Sequence, residues 1–556
     1  MVPLSRRERA GLALLFVGAL CFLGLFAHGH VENSDAEVTM HAARAWWLRG
    51  DPGLLREGPD VSVAERTLAE WIASGSPTGF GMPGRNGKAY VWFPIGHQAL
   101  MVPCVALGEA CARAFPAPET RLIELEGEAF GAFFWSRFFV ALLPIPFAAG
   151  AVVVVWLLAR TLGASGRDAL VVTAAATLAT AFWPGSSETM SDVPGTFFLL
   201  LAALGVFAYR ARVLAGVGAP RWLLLAGGAA GAAVCVRYPH AAPVAVLGAG
   251  AAVVAWRAGR RRDLAWLAAG GLPFLVALLA ANWLRFGNLL ETGYSAGATK
   301  EWFSYPPWLG IGLILLAPGK GVLWFSPALW PALAQAFRRV TWRPAWPWAV
   351  ALGCFLVPVV ISGHTAGWAA GQCWSVRYVT AGVVLVVTVG LSLGQPWRRR
   401  PRSFWAACLL GAVVSLGGVV TPYRGDREMA RHAAAVVYAE RVAREGEGVL
   451  PEIWDFVPRF TPLKSHWVYA WLNLQGRMQR GGSANTTEPL FGVRIEPDRP
   501  GLRPSRPQDV GFRHWWWRYG SELFGWPRWP VLAVAGVAAL ALFAAVRVLG
   551  GERGRA

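Results

Sequence analysis

The feature that most constrains this chain is the recurrence of apolar runs, many of them separated by short clusters of arginine. A bilayer core about 30 Å thick needs about 20 apolar residues per helix, and many of these runs approach that length. Hydrophobic residues make up 55% of the chain and charged residues only 15%, whereas soluble domains carry about 25% charged residues. The sequence therefore predicts an all-α polytopic membrane protein.

About twelve runs are long enough to be read as membrane spans. Threading them alternately from a cytoplasmic N-terminus places arginine clusters such as WRAGRRRD and WRRRPR on one side, and the acids Asp35, Glu37, Glu188 and Asp192 on the other. Because short cytoplasmic loops are enriched in arginine and lysine, we expect a multi-pass protein of the bacterial inner membrane with both termini in the cytoplasm. The predicted spans are 10–27, 135–158, 169–185, 189–208, 222–236, 239–256, 264–283, 309–336, 346–362, 376–394, 404–421 and 530–546.

This topology divides the chain into three parts. Residues 1–423 form a transmembrane module with a long first periplasmic loop (29–134), residues 424–528 form a periplasmic insert, and residues 529–556 form the last helix and a cytoplasmic tail. In the first loop, the apolar stretch ALMVPCVALG is predicted to be too short to cross. The tryptophans of HWWWRYG are interpreted as an aromatic belt at the membrane interface rather than as a platform for stacking a sugar. The formal net charge of +19 lies mostly in short loops, so it does not indicate a nucleic-acid partner.

Four acidic residues on the predicted external face are candidates for function. Asp35 and Glu37 follow the first span, and Glu188 and Asp192 lie four residues apart between the third and fourth spans. An ionisable side chain at membrane depth costs about 2.5 to 3.5 kcal/mol, so such residues usually mark a cavity or a site. Glu188 and Asp192 could bind a divalent cation or orient an acceptor sugar. The alternative is that they are solvated loop acids.

Five cations on the same predicted face complete the pattern. Lysine occurs only four times in the chain, and Lys320 lies between two glycines, where the backbone can approach a phosphate closely. An arginine such as Arg377 can grip phosphate oxygens through two hydrogen bonds. The alternative is that each cation reaches to the lipid headgroups. The five candidates are Lys88, Arg237, Arg285, Lys320 and Arg377.

External acids and external cations on a hydrophobic scaffold suit the transfer of a sugar from a lipid-linked phosphate. The prenyl tail stays in the bilayer, cations neutralise the departing phosphate, and a carboxylate takes the proton of the attacking hydroxyl. One general base is sufficient for a reaction that inverts the anomeric centre. Positioning the base and the cations on opposite sides of that carbon lowers the barrier further.

Several phrases resemble uncharacterised bacterial members of the GT-C superfamily of polyprenyl-phosphate-sugar-dependent glycosyltransferases, which includes protein O-mannosyltransferases and the aminoarabinose transferase that modifies lipid A. The phrases are NGKAYVWFPIGHQALMVP, SETMSDVPGTFFLLLA, NWLRFGNLLETGY, APGKGVLWFSP and GWAAGQCWSVRY, within residues 10–395. The resemblance implies a GT-C-like bundle, Asp35 as the catalytic acid, Glu188 and Asp192 as the second acidic motif, and Lys320 and Arg377 at the lipid phosphate. Because Ala36 separates Asp35 from Glu37, either acid remains a candidate base. Parts of the superfamily use a divalent cation, so the cofactor stays open.

The sequence thus predicts a membrane glycosyltransferase that moves a sugar from a polyprenyl-phosphate donor to a periplasmic glycan, lipid or protein. A transporter or flippase of lipid-linked sugars or small anions is the alternative, although transporters are typified by inverted repeats and binding residues near the midplane. A third hypothesis is a non-catalytic assembly or sensor protein whose insert binds a partner.

Overall fold

The computed structural model is a bundle of helices. It describes residues 4–31, 33–75, 80–126, 132–296, 303–338, 345–371, 373–421, 423, 430, 433–445, 455–474 and 515–551. The prediction of an all-α polytopic membrane protein is confirmed, since within these residues nine helical segments are long and apolar enough to cross a membrane. They are Ile95–Ala114, Phe134–Thr161, Asp192–Leu214, Tyr238–Arg257, Arg261–Phe286, Ala345–Gly363, Arg377–Gly394, Pro401–Val420 and Trp529–Gly550.

The remaining helices are shorter or carry more charge, and the two strands form a small antiparallel hairpin in the first loop. The N-terminal helix belongs here because Arg6, Arg7, Glu8 and Arg9 occupy its start. Arg221–Val236 and Pro307–Leu316 are apolar but short. The helices outside the nine segments are Arg6–Gly24, Ser34–Arg49, Val63–Ala73, Ala117–Glu126, Gly166–Leu178, Phe182–Ser187, Arg221–Val236, Pro307–Leu316, Val322–Phe325, Leu329–Ala336, Pro396–Arg399, Ala439–Glu445, Pro462–Leu474 and Trp516–Phe524, and the strands are Gly81–Pro83 and Ala89–Val91.

The first loop contains a helix that the sequence underestimated. Ile95–Ala114 has 20 residues and reaches the length and hydropathy of a span, so the prediction that its apolar core is too short to cross is wrong as to length. The helix continues through Glu109, whose carboxylate accepts a hydrogen bond from Arg44 at 2.6 Å. This ion pair compensates the negative charge that Glu109 introduces into an otherwise apolar stretch of the helix. The helix packs against Ser34–Arg49 and Phe134–Leu142.

Two predicted spans are interrupted helices. Residues predicted as 169–185 form Gly166–Leu178 and Phe182–Ser187, and those predicted as 309–336 form three short helices. The two breaks satisfy each other: the Ala181 N–H donates to Ser326 Oγ at 3.1 Å, and the Ala328 N–H donates to the Ala179 carbonyl at 3.2 Å. A broken helix is tolerated at membrane depth where the freed backbone groups are bonded within the protein.

The centre and the periphery of the bundle differ sharply in exposure. Almost every residue of Thr380–Gly394 is buried, whereas Leu264–Phe286 is exposed along most of its length. The exposed surface of Leu264–Phe286 is apolar, as expected for a helix that faces lipid. The central helix Thr380–Gly394 begins directly after Arg377–Val379, a short 3-10 turn. Its N-terminal end therefore carries one of the candidate cations into the interior.

Part of the predicted insert packs against the helices of the transmembrane module. Pro462–Leu474 lies along Pro401–Val420, and the Thr461 hydroxyl donates to the Pro318 carbonyl at 2.6 Å. The Gly319 N–H donates to the Asp455 carbonyl at 3.0 Å. Gly319 and Gly321, which the sequence associates with a phosphate, therefore approach protein backbone, since a Cβ at Gly319 would lie 2.7 Å from Asp455 Cα. Residues 475–514 of the predicted insert lie outside the described part of the chain.

Candidate active site

Two carboxylates and two guanidinium groups meet at one end of the bundle. Arg377 Nη2 lies 3.1 Å from Asp35 Oδ2, and Arg377 Nη1 lies 3.6 Å from Asp192 Oδ2. On the other side of Asp192, Arg237 Nη1 lies 2.9 Å from the same Oδ2. The structure thus brings together four residues that are distant in the sequence. Asp35 and Arg377, the most distant two, are 342 positions apart. We call Asp35, Asp192, Arg237 and Arg377 the charged cluster.

Helix ends build the charged cluster. Asp35 lies in the first turn of Ser34–Arg49, and Asp192 begins Asp192–Leu214. Arg237 connects Arg221–Val236 to the 3-10 turn Tyr238–His240, and Arg377 begins the turn before Thr380–Gly394. Because the N-terminus of a helix carries a partial positive charge, acids in its first turn are favoured there. The sequence therefore needs only loops of suitable length to bring these side chains to one place.

Asn33 fixes the position of the helix that carries Asp35. Its side-chain oxygen accepts from the Ala36 N–H at 2.7 Å, the usual N-cap contact. Its amide nitrogen donates to the Thr189 carbonyl at 3.2 Å. One side chain therefore both caps the helix and ties it to the segment between Glu188 and Asp192. The sequence reasoning did not single out Asn33, although an Asn before an acidic helical turn is a recognisable cap signal.

The aromatic ring of Tyr378 supports both guanidinium groups. The Cζ atom of Arg237 lies 5.4 Å from the ring centroid, and that of Arg377 lies 5.9 Å from it. The ring's negative face attracts both cations and so offsets part of their mutual repulsion. The Nε atoms of Arg237 and Arg377 and the Oδ1 atom of Asp192 are buried with no hydrogen-bond partner among the described residues.

Glu37 is held in a different ion pair from Asp35. Arg137 Nη2 lies 2.5 Å and His41 Nε2 lies 3.3 Å from Glu37 Oε1. Although burial acts to raise the pKa of Glu37, Arg137 and His41 hold that pKa well below its usual range. Glu37 is thus fixed as an anion by residues on its own helix and on Phe134–Leu142. The structure therefore places the two acids, which the sequence left as alternative bases, in different ion pairs.

Glu188 and Lys320 lie beside the charged cluster but bind protein backbone. Glu188 Oε1 accepts from the Trp374 N–H at 2.8 Å. The surrounding protein removes water from the Glu188 carboxyl group and so raises its pKa to about 8. The positive charge of Lys320 acts in the opposite direction and lowers this pKa. Lys320 is 1% exposed, and its Nζ donates to the carbonyls of Gly371 and Cys373 at 2.7 Å and 2.5 Å.

The other two candidate cations are outside the charged cluster. Lys88 Nζ lies 2.8 Å from Asp51 Oδ2, within the first loop. Arg285 is buried and donates to the carbonyls of Val91 and Phe93 at 3.2 Å and 3.3 Å. Among the described residues, no three His, Cys, Asp or Glu side chains are grouped so as to hold a metal ion.

The tryptophans Trp515, Trp516 and Trp517 close the same end of the molecule. The Trp516 indole donates to the Gly24 carbonyl at 2.8 Å and the Trp517 indole to the Leu25 carbonyl at 2.9 Å. The Trp515 indole donates to the Val419 carbonyl at 3.2 Å. These contacts satisfy carbonyls at the ends of two helices. All three indole N–H groups are thus used within the protein.

The fold and the charged cluster define a polytopic membrane protein with an arginine–carboxylate network at one end of its bundle. Among solved structures, the chain is similar to ArnT from Cupriavidus metallidurans bound to undecaprenyl phosphate, with a TM-score of 0.42, 15% identity, and coverage of 98% of this chain and 76% of that chain. It is also similar to ArnT from Cupriavidus metallidurans in the apo state, with a TM-score of 0.41, 15% identity, and coverage of 98% and 77%. No protein-family model and no curated protein sequence matches the chain.

Proposed function

We propose that this protein is a membrane glycosyltransferase that moves a sugar from a polyprenyl-phosphate donor to an acceptor on the external face, with inversion and with Asp35 as the general base. The observation that carries the proposal is the position of the Arg377 guanidinium between Asp35 and Asp192, with Arg237 on the far side of Asp192. A base and a phosphate-binding cation thereby lie at one site, and a sugar that enters between them has the two groups on opposite sides of its anomeric carbon. The sequence phrases that resemble the GT-C superfamily support the same reaction.

Arg237 and Arg377 are assigned to the donor phosphate. Each guanidinium retains an Nε–H group with no hydrogen-bond partner among the described residues. Arginine binds phosphate oxygens through charge-assisted hydrogen bonds, which are stronger than neutral ones. Arg377 is 15% exposed, twice the 7% of Arg237, so Arg377 meets an incoming phosphate first. Lys88 and Arg285 are left out of the donor site because they bind Asp51 and loop carbonyls.

Asp35 is assigned as the base because its carboxylate is the more accessible acid of the charged cluster. Its side chain is 28% exposed, compared with 10% for Asp192. Glu37 is excluded from this role by its contacts with Arg137 and His41. Asp192 retains an oxygen, Oδ1, with no partner among the described residues, and this oxygen can accept a hydrogen bond from an acceptor hydroxyl.

In the proposed reaction, Asp35 takes the proton of the acceptor hydroxyl as its oxygen attacks the anomeric carbon. The bond between that carbon and the phosphate oxygen breaks, and its electron pair leaves with the phosphate. Arg377 and Arg237 stabilise the charge that develops there. Since Arg377 also pairs with Asp35, a phosphate that draws Arg377 away frees the Asp35 carboxylate to accept this proton. Donor binding therefore prepares the base.

The test is sugar transfer in vesicles that contain the purified protein and radiolabelled polyprenyl-phosphate sugars. Asp35→Asn keeps the size of the side chain but removes the base, so transfer is expected to fall by about 100-fold or more. Asp51→Asn is the matched control, because Asp51 is a first-loop acid that pairs with Lys88 outside the charged cluster. Undiminished transfer by Asp35→Asn contradicts the assignment.

One observation favours a transporter as a second candidate. The interrupted helices Gly166–Ser187 and Pro307–Ala336 meet at their breaks, and interrupted helices often form transport sites. The breaks meet at Thr180 and Ser326, however, and carry hydroxyl and backbone groups rather than the charged cluster. A flippase would move a fluorescent lipid-linked sugar across the vesicle bilayer without transferring it, and Asp35→Asn would leave that movement intact.

A further inference from the structure

One peptide unit next to the charged cluster is bound on both sides by ionisable side chains. The carbonyl of Cys373 accepts from Lys320 Nζ at 2.5 Å, and the N–H of Trp374 donates to Glu188 Oε1 at 2.8 Å. These two groups belong to the same peptide bond and point in opposite directions, because the bond is trans. Lys320 and Glu188 therefore hold the peptide from its two opposite edges. Arg377 follows three residues later.

The sequence pattern and its resemblance suggested that Lys320 binds phosphate, but its contacts leave no free donor. An ammonium group has three N–H bonds. Two are directed to the carbonyls of Gly371 and Cys373, and the Nζ atom lies 4.6 Å from the centroid of the Tyr423 ring. Since only 1% of its surface is exposed, Lys320 has no N–H group available to a ligand.

The backbone that Lys320 holds adopts conformations that need support. Ala370 and Ser375 have φ values of 61° and 62°, and Gly371 has a φ of 76°. Residues other than glycine rarely adopt this left-handed region. The Ser375 hydroxyl returns a hydrogen bond to the Lys320 carbonyl at 3.1 Å. A Cβ at Gly371 would lie 3.8 Å from Arg377 Nη2, so the held segment also backs the Arg377 guanidinium.

We infer that Lys320 and Glu188 are positioning residues, which clamp the peptide between Cys373 and Trp374 and so place Arg377 between Asp35 and Asp192. This inference deepens the proposed transferase function, since it assigns Lys320 and Glu188 to the support of Arg377 and to no contact with donor, acceptor or metal. Glu188 acts as a hydrogen-bond acceptor whose negative charge is not needed. The neutral, isosteric Glu188→Gln can make the same contact, whereas Glu188→Ala cannot.

The clamp itself is tested by thiol accessibility, which does not depend on enzymatic activity. Cys373 is fully buried in the clamped segment, and its Sγ atom lies 3.3 Å from the carbonyl oxygens of both Ala370 and Ser375. Two variants are made that each keep a single cysteine. The labelling rate of Cys373 by a small permeant maleimide is compared with that of Cys354, which is buried on the helix Ala345–Gly363. Lys320→Met and Glu188→Ala are expected to raise the ratio by about tenfold, whereas Glu188→Gln leaves it unchanged. A ratio that stays constant in both Lys320→Met and Glu188→Ala overturns the clamp.

The transfer assay then tests whether the clamp acts through Arg377. If it does, Glu188→Gln retains at least about ten times the transfer rate of Glu188→Ala, and the double variant Lys320→Met/Arg377→Gln is no slower than Arg377→Gln alone. The inference is overturned if the losses of transfer rate multiply in the double variant, or if Glu188→Gln and Glu188→Ala lose the same transfer rate. Either result would indicate that these side chains contact the substrate directly. Absence of transfer by the parent protein contradicts the proposed function, and the labelling ratio still decides the clamp.

Discussion

At the scale of single residues, Asp35 and Glu37 show how two acids on one helical turn can have different ion-pair partners. Glu37 forms an ion pair with the buried Arg137, whereas Asp35 shares Arg377 with Asp192. Removing Glu37 takes away the carboxylate that binds the buried Arg137, whereas removing Asp35 leaves Arg377 paired with Asp192. The two acids should therefore separate in their effects on stability and on transfer.

We expect Glu37→Ala to lower the free energy of unfolding by about 1–3 kcal/mol, because it removes the carboxylate that accepts hydrogen bonds from the buried Arg137 guanidinium. Asp35→Ala should lower it by less than about 1 kcal/mol, because the pair that it breaks is partly exposed. Thermal unfolding of the two variants in the same detergent measures the difference. A larger loss in Asp35→Ala would show that the Asp35–Arg377 pair is structural.

Glu188 should make stability depend on pH. Its pKa is about 8 in the folded protein, against 4.5 for an ordinary Glu. Between these two pH values, the folded chain holds a proton on Glu188 that the unfolded chain has released. The stabilisation that this bound proton provides is therefore complete below pH 4.5 and is lost as the pH rises through 8. Glu188→Gln should therefore flatten the decline in melting temperature across this window. If the melting temperatures of the parent protein and of Glu188→Gln fall equally steeply across this pH range, this prediction is contradicted.

At the scale of elements, glycines set how closely helices approach the charged cluster. A Cβ at Gly195, on the helix that Asp192 begins, would lie 2.6 Å from the buried His240 ring and 3.5 Å from Arg237 Cβ. Gly195→Ala should therefore destabilise the protein by about 1–3 kcal/mol and weaken transfer by displacing Arg237. Gly248→Ala is the matched control, because nothing lies within 4 Å of its Cβ, and it should stabilise its helix by about 0.5–1 kcal/mol. Melting temperatures that move in the same direction contradict this account.

The elements also show where sequence reasoning succeeds and where it stops. Spans such as Ala345–Gly363 and Trp529–Gly550 follow from apolar length, which is a local property. The breaks near Thr180 and Ser326 do not, because each is stabilised by backbone and hydroxyl groups of the other. The glycines beside Lys320 suggested a phosphate, but its real partners are carbonyls 51 and 53 residues away. Asp35 and Arg377 were both candidates from sequence, yet only the fold pairs them.

At the scale of the whole molecule, the first and last described helices lie together. The N-terminal helix Arg6–Gly24 packs antiparallel to the C-terminal helix Trp529–Gly550: Cβ atoms at Gly11 and Gly18 would lie 2.6 Å and 2.7 Å from Leu549 and Leu542 side chains. The start of one helix thus meets the end of the other. The opposite ends of this pair are joined through Trp516 and Trp517.

This pairing makes the orientation testable with two fusions. Since Arg7 and Gly551 lie close together, reporters fused to the two termini are expected to give the same answer, and the arginine-rich loops predict that this end is cytoplasmic. Green fluorescent protein, which folds in the cytoplasm, should fluoresce at the C-terminus, and alkaline phosphatase, which is active only outside, should be inactive there. The phosphatase inserted within residues 475–514 should be active. An active phosphatase at the C-terminus would place the charged cluster on the cytoplasmic face, where an external acceptor cannot reach Asp35.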